Sequence, residues 1–252
     1  MAIPTYVINL DRHADRFAHM RRELANVAFE RFPAVDGATI AEGNKSLTRF
    51  ELACLASHQK IWRKLLGSAE PYACVLEDDL HLSPSFGALL ADSGWVPPDA
   101  HSIKLDTYFQ TVLLGERHPA RGALGTARLY SRHQSSAAYV VTRAGAKRYL
   151  ELSAEPSLPA DYALFPRNPR ALGLVIYQLT PAVALQDHLR ADEAEGPTFA
   201  TAMGGPKQRP RLSAAARIKR EGARLLSQIA DLGEATYLKG VLGAKATIVG
   251  TE

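Results

Sequence analysis

Cysteine and long apolar runs are both scarce in this chain of 252 residues. Its two cysteines, Cys54 and Cys74, are too few for a disulfide framework, and neither lies in a CxxC pair, so we interpret both as small core residues. No apolar run approaches the ~20 residues needed to span a bilayer. The N-terminus also lacks the basic and then apolar regions of a signal peptide. We therefore expect the chain to stay in a reducing compartment, the cytoplasm.

A strong excess of one charge sign is missing as well. The chain has 30 Lys and Arg residues against 26 Asp and Glu residues, which gives a net charge of +4. This modest excess permits an anionic partner, such as a nucleotide, a phospholipid surface or a nucleic acid, but it requires none. Apolar residues make up 46% of the sequence and no long low-complexity run interrupts them, so we expect one large α/β domain with a short appendage.

Predicted strands and helices alternate along the chain. A β-branched run over 5–10 predicts a buried first strand, and the apolar spacing over 13–26 predicts an amphipathic helix. Thr48 and Glu51 form a capping box that predicts the start of a helix ending near Gly67. The apolar run 71–76 predicts a strand covered on both faces, as in a parallel sheet. Further strands are predicted over 29–35, 101–105, 137–142 and 173–179, with a helix over 143–152. This alternation predicts an open α/β sheet.

The composition changes near residue 197. A Gly-Gly-Pro sequence at 204–206 is typical of a linker, and 207–224 carries seven basic residues against one acidic residue. We predict a core domain over 1–196 and a linker with a basic helical tail over 197–252. Such a helix attracts anionic lipid by about 1 kcal/mol per basic residue near the membrane. A plain solvated charge is the alternative, and nucleic acid is a third option that no interleaved aromatic residues support.

Three consecutive acids, Glu77, Asp78 and Asp79, follow the apolar strand 71–76 directly. Their charges repel one another, and the usual relief is a bound cation. In open α/β sheets the ligand crevice lies outside the carboxyl ends of the strands, where this cluster falls. The two-residue period of a strand places Glu77 and Asp79 on one side, which suits Mn²⁺ or Mg²⁺ carrying a diphosphate. The alternative is that the acids cap the next helix or decorate a solvated turn.

The sequence resembles glycosyltransferase family 25 over about residues 5–190. No single shared segment is specific, but their common order is. The segments are Tyr6-Val-Ile-Asn-Leu-Asp-Arg12 with Arg16, Ala34-Val-Asp-Gly37, Leu47 through Ser57-His58 to Trp62, Val75-Leu-Glu-Asp-Asp79, Ile103-Lys-Leu-Asp106, Ala138-Tyr-Val-Val-Thr142 with Gly145-Ala146, Pro159-Ala-Asp161, and Tyr177-Gln-Leu-Thr-Pro181 with Gln186.

This resemblance implies a GT-A type fold, which is a Rossmann-like open sheet with helices on both faces. It implies a nucleoside-diphosphate sugar donor, often UDP-galactose, and a divalent metal at the acidic motif. The expected function is transfer of a hexose, galactose first, from a UDP-sugar to a saccharide acceptor in lipopolysaccharide or lipooligosaccharide biosynthesis. Inversion at the anomeric carbon rests on the resemblance alone. The alternatives are a protein or capsular acceptor, or a non-catalytic sugar-nucleotide-binding or scaffold protein.

The resemblance also implies roles for the acids and for the residues after the first strand. Glu77 and Asp79 are the expected metal and diphosphate contacts, with Asp79 also counted as catalytic and Asp78 placed on the ribose or the donor sugar. The residues expected to hold the nucleotide are Asn9, Arg12 and Arg16, although Arg16 also fits a solvated helix face.

Five further residues are candidates, and three of them have an alternative. His58 is either a donor contact or a satisfied core histidine. Lys104 and Asp106 alternate out of one strand toward one face, and Asp106 is a candidate sugar-binding carboxylate. Asp161 is the candidate general base that takes the acceptor's proton, or an ordinary N-cap. His188 is a candidate metal ligand, or a surface residue.

The sequence departs from the family pattern before the 137–142 strand. Ser135 and Ala138 stand at positions where the family pattern has glycine. They add side chains at a place where the backbone can approach a ligand. This departure leaves the donor and acceptor sugars open, but it does not affect the class.

Overall fold

The computed structural model describes residues 1–44, 46–190, 199 and 236–252. The strands are β1 (Thr5–Asn9), β2 (Glu30–Pro33), β3 (Tyr72–Leu76), β4 (Leu80–Leu82), β5 (Ser102–Lys104), β6 (Thr111–Pro119), β7 (Gly125–Leu129), β8 (Ala138–Thr142), β9 (Ile176–Thr180), β10 (Ala184–Gln186) and β11 (Lys245–Ile248). The helices are α1 (Ala14–Glu23), α2 (Arg49–Leu66), α3 (Phe86–Leu90), α4 (Arg143–Leu152) and α5 (Ala160–Leu164), with 3₁₀ turns at Gly37–Thr39, Arg170–Leu172 and Asp187–Leu189.

Nine of these strands form one mixed sheet in the order β11-β6-β7-β9-β5-β8-β3-β1-β2, and β10 pairs with β4 in a small second sheet. β1 runs parallel to both β2 and β3, whereas β8 is antiparallel to its neighbours β3 and β5. β9 is parallel to β5. The carboxyl ends of β1, β2, β3, β5 and β9 therefore meet at one edge, where β8 begins.

Two apolar layers cover the sheet, one on each face. Alternate residues of the central strands point to opposite layers, so Val75 and Tyr139 join one cluster while Cys74 and Val140 join the other. Helices α2, α4 and α5 pack on the first face, and α1 and α3 pack on the second. The predicted open α/β sheet with helices on both faces is confirmed. The purely parallel setting expected for β3 is wrong on one side, because β8 is antiparallel to it.

The start of α2 is confirmed in detail. The Thr48 hydroxyl accepts the Glu51 amide at 3.3 Å, and the Glu51 carboxylate accepts the Thr48 amide at 2.8 Å. This reciprocal pair satisfies two backbone donors that the first turn leaves open. The helix ends before Gly67, as the sequence predicts. It therefore carries His58 and Trp62 across the sheet face in a fixed register.

The second half of the chain needs corrections. The predicted strand 173–179 begins at Ile176, because Gly173 ends a 3₁₀ turn with φ of 65°. Residues 207–224 lie outside the described residues, so the basic helical tail and the division near residue 197 stay predictions. The end of the chain is not a separate tail, because β11 pairs antiparallel with β6 and the Ala182 amide donates to the Gly250 carbonyl at 2.8 Å.

Candidate functional site

A cavity of about 390 Å³ opens at the sheet edge where β3 and β5 end and β8 begins. Four carboxylates line it: besides Glu51 of α2, Glu77 and Asp79 come shortly after β3, and Asp161 lies in the first turn of α5. Other lining residues are Arg16, Cys54, Tyr108, Ser135, Ser136, Gln186 and His188. The predicted position of the acidic motif, outside the carboxyl end of a buried strand, is therefore where the cavity is found.

Glu77 is held by groups from two neighbouring elements. Its carboxylate accepts the Ser136 hydroxyl at 2.9 Å, and its backbone amide donates to the Ala137 carbonyl at 2.8 Å. Burial by itself raises the pKa of Glu77, but the facing His58 imidazole, the Ser136 hydroxyl and the Lys104 ammonium outweigh it and lower the pKa below its usual range. The surroundings of Glu77 therefore favour its ionised form.

A buried polar chain leads from α2 to Glu77. The Trp62 indole donates to the Tyr139 hydroxyl at 2.9 Å, and the same hydroxyl lies 2.9 Å from His58 Nδ1. His58 Nε2 then lies 3.7 Å from the Glu77 carboxylate. Because the indole only donates, the Tyr139 proton is available to His58 Nδ1, which leaves the imidazole proton on Nε2, facing Glu77. His58 is thus a buried histidine whose protonated Nε2 faces the acidic motif.

Asp79 lies on the same cavity wall in a different electrostatic state. Burial and the neighbouring Glu77 charge raise its pKa to about 7, and the Arg16 guanidinium, 4.0 Å away, only partly offsets them. Its side chain also accepts the Gln186 amide at 3.4 Å. The Asp79 carboxyl therefore has a pKa near neutral pH, and the repulsion from Glu77 is only partly compensated. A bound cation would stabilise its ionised form.

Asp78 points away from this wall into a closed network. One carboxylate oxygen accepts the Asn9 amide at 2.7 Å, and the other accepts Arg16 at 2.8 Å. The Asn9 carbonyl oxygen in turn accepts Arg31 at 2.8 Å. Asn9 is buried and lines neither this cavity nor the smaller one that adjoins it, so its observed contacts position Asp78 and Arg31. Its predicted contact with the nucleotide stays a prediction.

A second, smaller cavity of about 130 Å³ adjoins the first and shares Arg16, Cys54 and Glu77 with it. Its walls combine apolar side chains after β1 and on α2, such as Leu10 and Phe50, with Arg12. Arg12 is ion-paired with Asp36 at the surface, where an Ala38 amide hydrogen bond, followed by that arginine, lowers the pKa of the Asp36 carboxyl. Arg12 and Arg16 thus border one continuous space.

Lys104 is the last residue of β5 and Asp106 follows two residues later, and neither lines the wall of these two cavities. They form a buried ion pair with Nζ and Oδ1 2.8 Å apart. Lys104 also donates to the Ser135 carbonyl at 2.6 Å. Burial lowers the pKa of Lys104 and raises that of Asp106. The pair thereby holds the loop before β8, and the donor contact predicted for Lys104 and Asp106 stays a prediction.

Asp161 faces the acidic motif from the opposite element. Pro159, not Asp161, occupies the N-cap position of α5, so the capping alternative is wrong. Burial raises the pKa of Asp161, which the partner Arg132, 3.4 Å away, partly offsets. Arg132 stacks on Tyr162, and its Nε is buried without a hydrogen-bond partner among the described residues. Asp161 is thus a carboxylate of raised proton affinity in the cavity wall.

The predicted metal ligands lie around the cavity but do not converge on one point. Glu77, Asp79 and His188 all line it, yet these three do not together form one of the groups of described residues whose ligand atoms all lie within 4.8 Å of one another; Glu77 forms such a group with Cys54 and His58 instead. The donor set of two carboxylates with an imidazole nearby nevertheless fits a hard divalent cation, because Asp79 retains an uncompensated charge. The residues fit the metal that the family implies.

The loop before β8 explains the departure from the family pattern. Ser135 has φ of 76°, a left-handed conformation that favours glycine. Its hydroxyl donates to the Gln186 side-chain oxygen at 2.9 Å, and it lines the cavity. Ala138 is buried in the core, opposite Leu76. The substitution thus adds a polar side chain to the cavity wall at one position and only a core methyl group at the other.

Several residues of the site had no sequence signal of their own. Ser136, Tyr139 and Arg132 reach it because β8 runs antiparallel to β3, which sets the loop before β8 beside the acids after β3. Knowledge that these two strands pair antiparallel would have been enough to predict that Ser136 lies next to Glu77. The apolar pattern of a single strand does not reveal which strand it pairs with or in which direction, so this prediction could not be made from the sequence.

The fold and the site together define the class of protein. An open α/β sheet with an acid-lined cavity outside its carboxyl edge is the arrangement of an α/β enzyme that binds its ligand at that edge. Residues 2–164 match the model of glycosyltransferase family 25, described as an LPS biosynthesis protein. The chain belongs to this family and is a glycosyltransferase.

Curated relatives agree with the family match. The chain is 27% identical over 205 residues to the lacto-N-neotetraose biosynthesis glycosyltransferase LgtB of Neisseria gonorrhoeae, covering 72% of this chain and 74% of the relative. It is 26% identical over 165 residues to the lipooligosaccharide biosynthesis protein lex-1 of Haemophilus influenzae, covering 61% and 54%. The chain is thus similar to proteins named for the biosynthesis of lacto-N-neotetraose and of lipooligosaccharide.

Among solved structures, a glycosyltransferase involved in glycosylation of the major capsid of PBCV-1 aligns with a TM-score of 0.42 at 10% identity, over 74% of this chain and 92% of the other.

None of the described helices combines the length and the apolar character that crossing a bilayer requires.

Proposed function

We propose that this glycosyltransferase transfers a hexose from a UDP-sugar to a saccharide hydroxyl of a lipid-linked glycan, with a divalent cation and inversion at the anomeric carbon. Galactose is the proposed hexose, because the family that the sequence resembles often uses UDP-galactose. The observation that carries the proposal is the cavity in which Glu77 and Asp79 lie on one wall and Asp161 on another.

Glu77 and Asp79 are the proposed ligands of Mn²⁺ or Mg²⁺, with His188 as a third. A bound cation would offset the charge that develops on the departing diphosphate, so that departure needs no strong acid. Glu77 supplies a fixed negative charge, since His58 and Ser136 keep it ionised. Asp79 supplies a second charge whose pKa of about 7 marks it as the group with most to gain from a cation.

Asp161 is the proposed general base. As the acceptor oxygen bonds to the anomeric carbon, the bond from that carbon to the diphosphate oxygen breaks, and the acceptor's proton passes to the Asp161 carboxylate. The raised proton affinity of Asp161 suits this step. Arg132 keeps the carboxylate oriented without neutralising it, because its contact is a long 3.4 Å. The products are the new glycoside and UDP.

The smaller cavity is the proposed site of the nucleoside. Its apolar walls suit a base and ribose, and Arg12 and Arg16 border it on the side of the phosphates. Arg16 also lines the larger cavity, so one side chain lies along the whole proposed path of the donor. The predicted roles of Arg12, Arg16, Asp78 and His58 as donor contacts are part of this proposal.

The proposed acceptor rests on the relatives. LgtB is named for lacto-N-neotetraose biosynthesis and lex-1 for lipooligosaccharide biosynthesis. Association of the basic segment 207–224 with anionic membrane at the cytoplasmic face stays a prediction. Sedimentation with anionic and with neutral vesicles tests it, and equal binding to both would exclude a charge-driven contact.

The test of the proposed function is donor hydrolysis. Purified protein with Mn²⁺ is given a panel of UDP- and GDP-sugars while nucleotide release is followed. We expect release from one UDP-hexose, with loss on chelation and in Asp79→Ala. No release from any donor, together with no binding of UDP, would contradict the proposal.

The role of Asp161 is tested separately. Asp161→Asn should keep donor binding but lose transfer to a saccharide acceptor by about 10²–10⁴-fold, the usual contribution of a general base. The matched control is Glu51→Gln, which changes another carboxylate of the cavity wall. Equal losses in both variants would show that Asp161 acts only through the charge of the cavity.

A further inference from the structure

A second cluster of ligand-type side chains lies between α1 and the small β4–β10 sheet, outside the cavity wall. His19 and Glu23 stand one turn apart on α1, and His81 lies on β4. Among the described residues, these three form one of the two groups whose ligand atoms all lie within 4.8 Å of one another. None of the three lines either of the two cavities of the donor site.

The three side chains face one another without bonding. Glu23 Oε1 lies 4.0 Å from His19 Nε2 and 3.9 Å from His81 Nδ1. Both distances exceed those of hydrogen bonds. They come close to the roughly 3.3 Å that separates two ligands of a tetrahedral Zn²⁺ with bonds of about 2.0–2.1 Å. Small rotations of the partly exposed Glu23 and His81 side chains would close the remaining gap.

The groups behind the cluster are those that hold metal ligands in place. His81 Nε2 lies 2.8 Å from the Asp187 carboxylate, which fixes the imidazole proton there and leaves Nδ1 facing Glu23. The other Glu23 oxygen accepts the Leu82 amide at 2.7 Å. In protein zinc sites, ligating histidines are oriented by a hydrogen bond to a carboxylate, and ligating carboxylates are oriented by further hydrogen bonds. His81 and Glu23 both have such support.

His19 is held differently. Its Nε2 lies 2.8 Å from the Leu80 carbonyl, as a donor to that oxygen. Coordination through this nitrogen replaces the hydrogen bond and needs the other neutral tautomer, in which the ring proton moves to Nδ1 and Nε2 carries the lone pair. His19 is buried, and its ring lies edge-on to that of His81 at 4.9 Å between centroids, which limits how far it turns.

We propose that His19, Glu23 and His81 bind a Zn²⁺ ion, with Asp187 supporting His81 from behind. Two imidazoles and a carboxylate are a ligand set that suits zinc, and the partial exposure of Glu23 and His81 leaves a fourth position for water. The ion joins α1 to the β4–β10 sheet. It thereby fixes the helix that carries Arg16 and the segment that carries His188, from outside the donor cavity.

The experiment measures Zn²⁺ and Co²⁺ binding to the purified full chain, by calorimetry and by the visible absorption of tetrahedral Co²⁺. It is repeated in a Cys54→Ser, Asp79→Ala background, which removes ligands from the other acid and thiol groups. We expect one equivalent of Zn²⁺ to remain in this background, whereas the unsubstituted protein can bind a further equivalent at Glu77 and Asp79. Binding should vanish in His81→Ala and in Glu23→Gln, and it should weaken about 10–100-fold in Asp187→Asn. His118→Ala, an exposed histidine on β6, is the matched control and should bind normally.

Circular dichroism identifies any variant that fails to fold, and the wild-type protein provides an independent readout. Bound Zn²⁺ should protect His81, but not His118, from modification by diethyl pyrocarbonate. Absence of Zn²⁺ binding in the Cys54→Ser, Asp79→Ala background would overturn the proposal. So would binding that survives both His81→Ala and Glu23→Gln, or equal modification of His81 with and without zinc. None of these readouts depends on transferase activity.

Discussion

The two sides of the acidic motif differ in how their charges are compensated. On the side of α1, Asp78 is buried and both its oxygens accept strong donors, from Asn9 at 2.7 Å and from Arg16 at 2.8 Å. On the side of the cavity, Asp79 keeps a pKa of about 7 because burial and Glu77 outweigh its single nearby arginine. We call the first arrangement closed, because donors of the protein satisfy both carboxylate oxygens. We call the second open, because part of the charge has no compensating group.

This difference separates what folds the site from what the site binds. A closed network stabilises only the folded chain, since removing one partner leaves the others buried and unpaired. An open one costs stability in the free protein and recovers it when an opposite charge arrives. Substitutions on the two sides should therefore have opposite signatures, one in unfolding and the other in activity.

The closed side should show the largest loss of stability. Asp78→Ala leaves Arg16 and Asn9 without their buried partner, which we expect to lower the free energy of unfolding by about 3–5 kcal/mol. Urea unfolding followed by circular dichroism measures it. Asp36→Ala is the matched control, because it breaks the exposed pair with Arg12 and should change stability far less. Similar losses in both variants would mean that the Asp78 network is not closed.

The open side should lose activity instead. Asp79→Asn keeps the shape of the side chain and removes its charge, so donor hydrolysis should fall by about 10²–10³-fold, as when one stabilising group of a transition state is removed. Stability should not fall, because the repulsion from Glu77 is removed as well. Parallel measurement of nucleotide release and of unfolding in urea checks both parts. A variant that unfolds easily and loses activity in proportion would place Asp79 in the closed network.

The raised pKa of Asp79 also predicts a pH dependence of stability. In the unfolded chain this carboxyl titrates near 3.9, and in the folded chain at about 7, so between these values the folded state binds the extra proton. The contribution of Asp79 to stability is therefore full below about pH 4 and falls as pH rises to about 7. Asp79→Asn should flatten that part of the profile. Thermal unfolding of both proteins from pH 4 to 8 measures the difference, and parallel profiles would contradict the assignment.

The buried chain behind Glu77 should give an intermediate effect. Tyr139→Phe removes the hydroxyl shared by Trp62 and His58, leaving two buried polar atoms unpaired, which should cost about 1–3 kcal/mol of stability. His58 then loses the bond that orients it toward Glu77, so the Mn²⁺ concentration for half-maximal activity should rise about tenfold. Tyr149→Phe, whose hydroxyl contacts Ser102 elsewhere in the core, is the control and should leave that concentration unchanged.

The elements that the sequence predicted well are those with a local cause. The capping box of α2 and the apolar strand before the acids depend on neighbours within a few residues. The sequence does not define the length of β6, because only its first half is covered, while Glu116, Arg117 and His118 are exposed and give no apolar alternation. β11 is exposed along its length and joins the sheet only through pairing with β6.

In the site, too, the features with a local cause were predictable and those that depend on distant contacts were not. The position of the acidic motif follows from its strand, and Lys104 and Asp106 do share a face, as a two-residue period requires. Which partner each charge meets depends on contacts distant in sequence, such as Lys104 with the Ser135 carbonyl. The two-residue period separates Asp78 from Glu77 and Asp79, but it does not reveal that Asn9 and Arg16 enclose Asp78 while Asp79 stays open.

The smallest expected effect lies at Ser135, on the open side, where the chain departs from its family. Its φ of 76° costs a residue with a Cβ about 1 kcal/mol, whereas glycine adopts it freely, and its hydroxyl bonds Gln186 at 2.9 Å. Ser135→Ala loses the bond and keeps the strain, while Ser135→Gly loses both. We therefore expect the glycine variant to be more stable than the alanine variant by up to about 1 kcal/mol, measured by urea unfolding. An alanine variant as stable as the glycine variant would mean that the loop relaxes, and that serine at this position does not shape the cavity wall.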